Sequence, residues 1–230
     1  MNDYFCIIPA RGGSKRVPNK NIQEVGGVPL IAHVIQNAVR SKIFKEIYVS
    51  TDSERIANIS IEFGASVPRL RSPELSDDQT GIRPVMADFI LRQALLQNDD
   101  SVIACVFPFA ILAKEELLCE ARARFEDLED KSKYLIAVQK YPHPIQRAFS
   151  LTHDSSLNPF NLEALEARTQ DLSSYFHDAG QFYFAKSKAW LSNKSILANA
   201  YGFQIPKYAS VDVDDVEDLV QLRRLFQTYI

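Results

Sequence analysis

The feature that most constrains the fold is a short apolar run near the start of the chain, Phe5 to Ile8, with no polar residue in it. Such a run is typical of a parallel strand that is buried on both faces. Similar runs recur along the chain, and stretches with helical spacing of apolar residues separate them. This alternation predicts an α/β fold with a doubly wound, mostly parallel sheet, in which ligands bind at the carboxyl ends of the strands.

The predicted elements cover most of the chain. Strands are expected at 5–8, 46–50, 67–70, 101–107, 134–138, 181–185 and 209–213. Helices are expected at 30–39, 53–63, 85–94, 114–125 and 216–226, with Ser53 a possible N-cap. The segment 141–181 breaks the pattern and is rich in His, Pro, Asn, Tyr and Phe. We therefore expect a single domain, 1–230, in which 141–181 is a small hairpin and loop subdomain that serves as a lid or a subunit contact.

Composition narrows the functional class. The 230 residues carry a net charge of −3 and a hydrophobic fraction of 46%, which is typical of a globular protein and gives no reason to expect binding to nucleic acid or a membrane. The N-terminus lacks the pattern of a secretory signal, and no run approaches the roughly 20 apolar residues that span a bilayer. Three cysteines without a CxxC motif indicate reduced thiols in a cytoplasmic protein.

The most informative segment is the loop after the first strand, PARGGSKRVPNKN at 9–21. It contains two glycines, whose backbone can approach a phosphate closely, and four cations that can neutralise a triphosphate: Arg11, Lys15, Arg16 and Lys20. The GxxxxGK[ST] motif of P-loop ATPases and the GxGxxG motif of dinucleotide-binding folds are both absent. Composition alone leaves a solvated basic loop as an equal alternative.

The order of residues favours a phosphate site. The segments IIPARGGSKRVPNKN (7–21), VSTDSERIA (49–57), RSPELSDD (71–78) and VDVDDVEDL (211–219) resemble, in order, motifs of the CMP-sugar synthetases, the acylneuraminate cytidylyltransferase-like family. Its members act on sialic, pseudaminic and legionaminic acids and on 3-deoxy-octulosonate, and have a nucleotide-diphospho-sugar transferase-like fold. YPHPIQRAF (141–149) and RTQDLSSYFHDAGQFYF (168–184) resemble the pseudaminic acid enzymes more than the sialic acid ones, which tend to have Asn-Gly in place of Ala179-Gly180.

The resemblance implies a Mg²⁺-dependent enzyme that joins CTP to a nonulosonic acid, most closely pseudaminic acid, and releases pyrophosphate. The anomeric hydroxyl of the sugar attacks the α-phosphorus, so the protein supplies positioning, charge neutralisation and a metal. It also implies a homodimer, and a product used in flagellin or another surface glycan. Implied catalytic residues are Lys20, Arg11 and Asp212.

The same resemblance implies a set of nucleotide-binding residues: Ala10, Arg11, Gly12, Gly13, Ser14, Lys15, Lys20, Asn21, Arg71 and Asp78. Arg11 and Lys15 would bind the β- and γ-phosphates, and Lys20 would steady the leaving group. Arg71 would help to read cytosine. Asp52 either contacts ribose or caps the following helix.

Two aspartates near the C-terminus are candidate metal ligands. Asp212 and Asp214 are two residues apart, so in a strand both carboxylates face the same side, while Val211 and Val213 face the core. Two hard oxygen ligands suit Mg²⁺. The alternative is a solvated acidic helix N-terminus, and that interpretation is preferred for Asp215 and Glu217.

The sugar side is predicted from the second half of the chain. Gln146 and Arg147 are candidate sugar ligands, with Arg147 pairing with the sugar carboxylate, and Gln181 and Tyr183 would line the same pocket. Segment 141–149 could instead form a dimer hairpin. His143 and His177 could contact sugar, although a lone histidine is more often structural.

One departure from the family pattern bears on function. After the fourth predicted strand the chain reads Cys-Val-Phe-Pro-Phe (105–109), where members commonly have Thr-x-Pro-Phe or Thr-x-Pro-Leu. Three alternatives therefore stay open: a synthetase for another CMP-sugar, a nucleotidyltransferase for another base, and a catalytically impaired nucleotide-binding homologue.

Overall fold

The computed structural model describes residues 3–229. Its strands, in chain order, are β1 (Tyr4–Pro9), β2 (Glu24–Val25), β3 (Val28–Pro29), β4 (Glu46–Ser50), β5 (Val102–Val106), β6 (Tyr134–Lys140), β7 (Phe149–Leu151), β8 (Leu157–Pro159), β9 (Phe176–Lys186) and β10 (Ala200–Gln204). Its α-helices are α1 (Leu30–Ser41), α2 (Glu54–Glu62), α3 (Ile82–Leu91), α4 (Glu115–Glu126), α5 (Leu162–Glu166), α6 (Ser187–Leu191) and α7 (Val216–Tyr229).

Six of these strands form the central sheet, in the order β10-β6-β9-β5-β1-β4. The pairs β1–β4, β1–β5 and β10–β6 are parallel, whereas β9 runs antiparallel to both of its neighbours. The ladder continues past the end of β1, because the Ala10 amide donates to the Ser50 carbonyl at 2.9 Å. The sheet therefore brings the carboxyl ends of β1, β4 and β5 together at one edge.

Both faces of the sheet are covered. Along β1, Cys6 and Ile8 contribute to one core, while Phe5 and Ile7 contribute to the other, as the period of two requires. Helices α1, α2, α4 and α7 cover the first face, and α3 and α6 cover the second. The continuous apolar run in β1 follows from this double burial, and the predicted doubly wound, mostly parallel fold is confirmed.

Two predicted strands are absent, and one strand of the central sheet was not predicted. Residues 67–70 form no strand, and the neighbouring Ser66 makes only an isolated bridge to Tyr48. Segment 209–213 is also not a strand, because a 3₁₀ turn at Lys207–Ala209 leads into irregular backbone. Strand β10, which forms one edge of the sheet beside β6, was not predicted.

The segment between β6 and β9 leaves the sheet. It contains a 3₁₀ turn at Ile145–Arg147, the β7–β8 hairpin, α5 and a second 3₁₀ turn at Thr169–Asp171. The predicted hairpin lies here, and its role as a lid or subunit contact stays a prediction. Among the residues described, no helix is long and apolar enough to cross a bilayer.

Candidate active site

A cleft of about 290 Å³ opens where β1, β4 and β5 end. Five parts of the chain line it: the end of β1 with the loop that follows, the loop at 71–80, the start of α3, Phe107 to Phe109 after β5, and Asp214 before α7. The phosphate loop and the acidic C-terminal segment, almost 200 residues apart, therefore border one cavity. A single nucleotide could therefore contact both segments.

The loop after β1 packs tightly against the end of β4. A side chain at Gly12 would place its Cβ 3.0 Å from the Cβ of Ser53, so any larger residue there would crowd the start of α2. The Gly12 amide donates to the Asp52 carboxylate at 2.8 Å. Asp52 therefore organises the loop and is not the helix cap, because the Ser53 hydroxyl accepts from the Ile56 amide of α2.

Lys20 joins the loop to the acidic segment. Its ammonium group donates to the Val213 carbonyl at 2.6 Å and lies 4.9 Å from the ring centre of Phe109. Burial lowers the pKa of Lys20, and the nearby carboxylates of Asp212 and Asp214 oppose that shift. A fixed, half-buried cation of this kind can hold a phosphate group at a defined place.

Asp212 and Asp214 keep the alternation predicted for a strand, although their segment is irregular. Val211 and Val213 are buried, while the two aspartates are exposed. Asp214 pairs with Arg16 at 2.9 Å, a second link between this segment and the phosphate loop. The Asp212 carboxylate lies beside Gly180, which has a φ of +60°.

The donor set fits magnesium. Burial, and then repulsion from Asp214, raises the pKa of Asp212, which means that its charged form is destabilised. A cation bound between the two carboxylates would stabilise that charge. Within residues 3–229, no group of three or more His, Cys, Asp or Glu side chains could hold a metal ion by itself. Two carboxylates suit Mg²⁺, because this ion keeps several waters and binds substrate phosphates as well.

The acids that follow have a structural role. The Asp215 carboxylate accepts from the Asp218 amide at 3.0 Å, and the Asp218 carboxylate accepts from the amides of Asp214 and Asp215 at 2.8 and 3.0 Å. These reciprocal bonds form a capping box at the start of α7. Asp215 is therefore a helix-terminus residue, as preferred above.

The loop at 71–80 contributes one buried cation and two acids. Arg71 is 6% exposed, donates to the Ser76 hydroxyl at 3.2 Å and lies 4.0 Å from Asp52. Arg11 donates to the Asp77 carbonyl at 2.7 Å and pairs with Asp78 at 2.6 Å. Lys15 pairs with the other oxygen of the Asp78 carboxylate.

Asn21 offers the cleft a free acceptor. Its side chain is almost fully buried and donates to the Arg11 carbonyl at 2.9 Å. Its side-chain oxygen has no hydrogen-bond partner in the part of the chain that the structure describes. A buried polar atom of this kind is costly unless a ligand or water meets it, so Asn21 suits a ligand-binding role.

The four predicted sugar ligands do not come together. Arg147 donates to the Leu165 carbonyl at 2.9 Å and to the Thr169 hydroxyl at 3.1 Å, and it borders a separate depression together with His143. Gln146 donates to the Ser173 carbonyl at 3.0 Å. Both residues form hydrogen bonds within the segment between β6 and β9, and neither lines the cleft.

Gln181 and Tyr183 lie within the sheet. Gln181 is 1% exposed and donates to the Ala179 carbonyl at 3.0 Å. Tyr183 donates to the Asp178 carboxylate, and burial, followed by this bond, raises its pKa. Tyr183 also packs edge-on against Phe107, so it supports the cleft wall from behind.

Several residues of the site have roles that sequence reasoning missed. Asp178 and Asp77 were not predicted, and Phe107 and Phe109 were noted only as a departure from a pattern. His177, a candidate sugar contact, packs against Tyr141 and bonds the Asp178 carbonyl at 2.9 Å. The one sequence signal for Phe107 and Phe109 as residues of the cleft wall is their position directly after a buried strand.

The fold and the cleft define an α/β protein whose basic loop, at the carboxyl end of the sheet, is suited to a polyphosphate. The chain belongs to the cytidylyltransferase family, whose model matches residues 5–210. Two pseudaminic acid cytidylyltransferases from Campylobacter jejuni are 37% and 38% identical over 97% of this chain and 96% of theirs. A CMP-N,N'-diacetyllegionaminic acid synthase from Legionella pneumophila is 30% identical over 96% of this chain and 97% of its own.

A solved structure shares the fold. A CMP-2-keto-3-deoxy-manno-octonic acid synthetase, determined with CTP, superposes with a TM-score of 0.71 at 15% identity. The match covers 99% of this chain and 100% of that one. At this identity the likeness concerns the fold alone.

Proposed function

We propose that this protein couples CTP to pseudaminic acid, forming the CMP-sugar and pyrophosphate. The observation that carries the proposal is the bond between Lys20 and the Val213 carbonyl, because it joins the phosphate loop to the acidic segment at one cleft. The identity to the pseudaminic acid enzymes, 37–38%, exceeds the 30% to the legionaminic acid synthase, which supports the choice of sugar.

In this mechanism the cations of the loop hold the triphosphate. Arg11 and Lys15 bind the β- and γ-phosphates, and Lys20 stabilises the charge that builds on the departing pyrophosphate. The anomeric oxygen of the sugar forms a bond to the α-phosphorus as the bond to the bridging oxygen breaks. Because Lys20 is fixed by Val213 and Phe109, it needs little reorganisation during this step.

The test is pyrophosphate release from CTP in the presence of a panel of sugar acids. Release with pseudaminic acid, at a kcat/KM well above that for legionaminic acid, sialic acid and 3-deoxy-octulosonate, is the expected result. A different preferred acid would reassign the sugar. Binding of CTP without release for any acceptor would indicate an impaired homologue, for which the altered stretch at 105–109, with its missing threonine, is the first candidate cause.

Mg²⁺ is the proposed cofactor, held by Asp212 and Asp214. When bound, it would neutralise charge on the phosphates and orient them. Asp212→Asn is expected to abolish the heat of Mg²⁺ binding in calorimetry with CTP present, while Glu217→Gln, a neutralisation in the same segment, leaves it unchanged. Equal Mg²⁺ binding by both variants would place the metal elsewhere.

The proposed sugar ligands require the neighbouring subunit or a different arrangement of the 141–181 segment, since Gln146 and Arg147 lie away from the cleft. A homodimer is proposed on the β7–β8 hairpin, where Leu151 and Leu157 pair across the strands and are 68% and 62% exposed.

A cytoplasmic location is proposed from three free cysteines, Cys6, Cys105 and Cys119. Flagellin or another surface glycan remains the proposed destination of the product.

A further inference from the structure

The Asp78 carboxylate takes up both outer cations of the phosphate loop. One oxygen lies 2.6 Å from the Arg11 guanidinium, and the other contacts the Lys15 ammonium. The same nitrogen of Arg11 also donates to the Asp77 carbonyl at 2.7 Å. The loop at 71–80 therefore engages one guanidinium nitrogen of Arg11 and the ammonium group of Lys15, both of which would also serve a phosphate.

Hydrogen bonds of the neighbouring residues hold Asp78 beside Arg11 and Lys15. The Asp77 carboxylate accepts from the amides of Gln79 and Thr80 at 3.0 and 2.6 Å, which closes a tight turn around Asp78. The Asp78 side chain is 40% exposed and Lys15 is 80% exposed, so water and small anions can reach the pair. The contact is thus preformed by the turn but open to exchange.

We propose that Asp78 competes with phosphate oxygens for Arg11 and Lys15, and so sets how tightly the protein holds pyrophosphate and the end of the triphosphate. This inference rests on the proposed function. A carboxylate and a phosphate cannot both take these positions without close like-charge contact. Binding then exchanges one anion for another, and the return of Asp78 assists the departure of pyrophosphate.

The proposed competition predicts the direction in which the affinity for pyrophosphate changes when Asp78 is neutralised. A residue that helped to bind the nucleotide would weaken binding when neutralised, whereas a competing carboxylate strengthens it. Asp78→Asn keeps the shape of the side chain and removes its charge. Glu74→Gln is the matched control, because Glu74 is an exposed acid on the same loop that does not line the cleft.

The experiment is calorimetric titration of pyrophosphate, without divalent ions, into the wild-type protein, Asp78→Asn and Glu74→Gln. Asp78→Asn should bind about five- to thirtyfold more tightly, as expected for removal of one or two exposed ion pairs, and the gain should shrink at high salt. It should also shrink when Lys15→Met is added, since the two residues share one interaction. Glu74→Gln should bind like the wild type.

Unchanged or weaker binding by Asp78→Asn, or an equal gain in Glu74→Gln, would overturn the inference. So would the absence of pyrophosphate binding in both the wild type and Asp78→Asn. A separate turnover assay with CTP distinguishes this result from a failure of the proposed function, because an active enzyme with unaltered pyrophosphate binding in Asp78→Asn refutes the competition alone.

Discussion

At the scale of single residues, the cations of the phosphate loop differ in how much water surrounds them. Lys20 is half-buried and held by a carbonyl and an aromatic ring, whereas Lys15 is 80% exposed and paired with a surface acid. Desolvation makes an electrostatic contact stronger but requires compensation, which the neighbouring acids provide for Lys20. The loop thus contains one fixed cation and others that water can screen.

These surroundings predict unequal effects of removing the two lysines. Lys20→Met, which keeps the apolar stem, should lower kcat/KM for CTP on the order of 10²-fold, because a preorganised charge is lost. Lys15→Met should lower it by no more than about fivefold, mainly through KM. Steady-state kinetics, with melting temperatures to verify folding, measures both, and equal losses would contradict the role assigned to burial.

Sequence alone predicted the residues that form the loop, but not their partners. Arg11, Lys15 and Asn21 follow a buried strand, and the resemblance of that segment to a known motif predicts that they bind the nucleotide. The bonds of Asp52 to Gly12 and of Asp78 to Arg11 join segments about 40 and 67 positions apart. Such contacts depend on how loops pack, and no local pattern encodes them.

At the scale of elements, the start of α7 determines where the candidate metal ligands lie. The capping box of Asp215 and Asp218 also fixes the amide of Asp214, so the helix terminus and the ligand share one set of hydrogen bonds. A change in the cap should therefore alter both stability and the site.

Asp218→Ala is expected to lower the free energy of unfolding by about 1 kcal/mol, the usual effect of losing a cap. It should also weaken Mg²⁺ binding, because the Asp214 backbone is no longer held. Denaturant unfolding and calorimetry measure the two effects, with Glu217→Gln as the comparison. A loss of stability with unchanged Mg²⁺ binding would separate the cap from the site.

The junction of α1 with α7 contains a pH-sensitive group. His33 bonds the Val25 carbonyl at 2.8 Å and meets Phe226 edge-on at 4.6 Å. Burial lowers the pKa of His33 from its ordinary value of 6.5, despite the opposing effect of that bond. The unfolded chain therefore takes up this proton more readily than the folded protein does.

It follows that the contribution of neutral His33 to stability is complete above about pH 6.5 and is lost as the pH falls through 6.5 toward the lower folded value. His33→Gln, which can still donate to Val25, should flatten the dependence of the melting temperature on pH between 7.5 and 5.5. His153→Gln, an exposed histidine in the hairpin, should leave that dependence intact. An unaltered slope in His33→Gln would refute the assignment.

The elements that sequence predicted well are those with a strong period. Helix α1 and strand β1 have unambiguous apolar spacing, and their buried faces match it. Segment 209–213 has the same alternation as a strand and still is none, since alternation reports burial and not backbone pairing. β10 was missed because its sequence, AYGFQ, contains a central glycine and few buried side chains.

At the scale of the whole molecule, the exposed apolar face of the β7–β8 hairpin is the surface on which the proposed homodimer would form. Phe149, Leu151 and Leu157 share this face, since residues two apart point the same way and Leu151 pairs with Leu157. Burial in a second copy would remove this surface from water.

We expect the double variant Leu151→Ser, Leu157→Ser to be monomeric under conditions in which the wild type is a dimer, as measured by light scattering after gel filtration. Leu91→Ser, at an exposed leucine on α3, is the control and should keep the wild-type mass. A dimer that survives the double substitution would place the interface elsewhere.

The position of β9 has a consequence for how the chain is made. This strand separates β5 from β6 in the sheet, yet it follows them in sequence, after the whole hairpin segment. While a ribosome is still adding residues before 176, β5 lacks one of its two neighbours in the sheet, and β6 lacks both, because β10 also comes later in the chain. A nascent chain paused there would present these unpaired strand edges as templates for aggregation, so chaperone demand should be greatest just before β9 emerges.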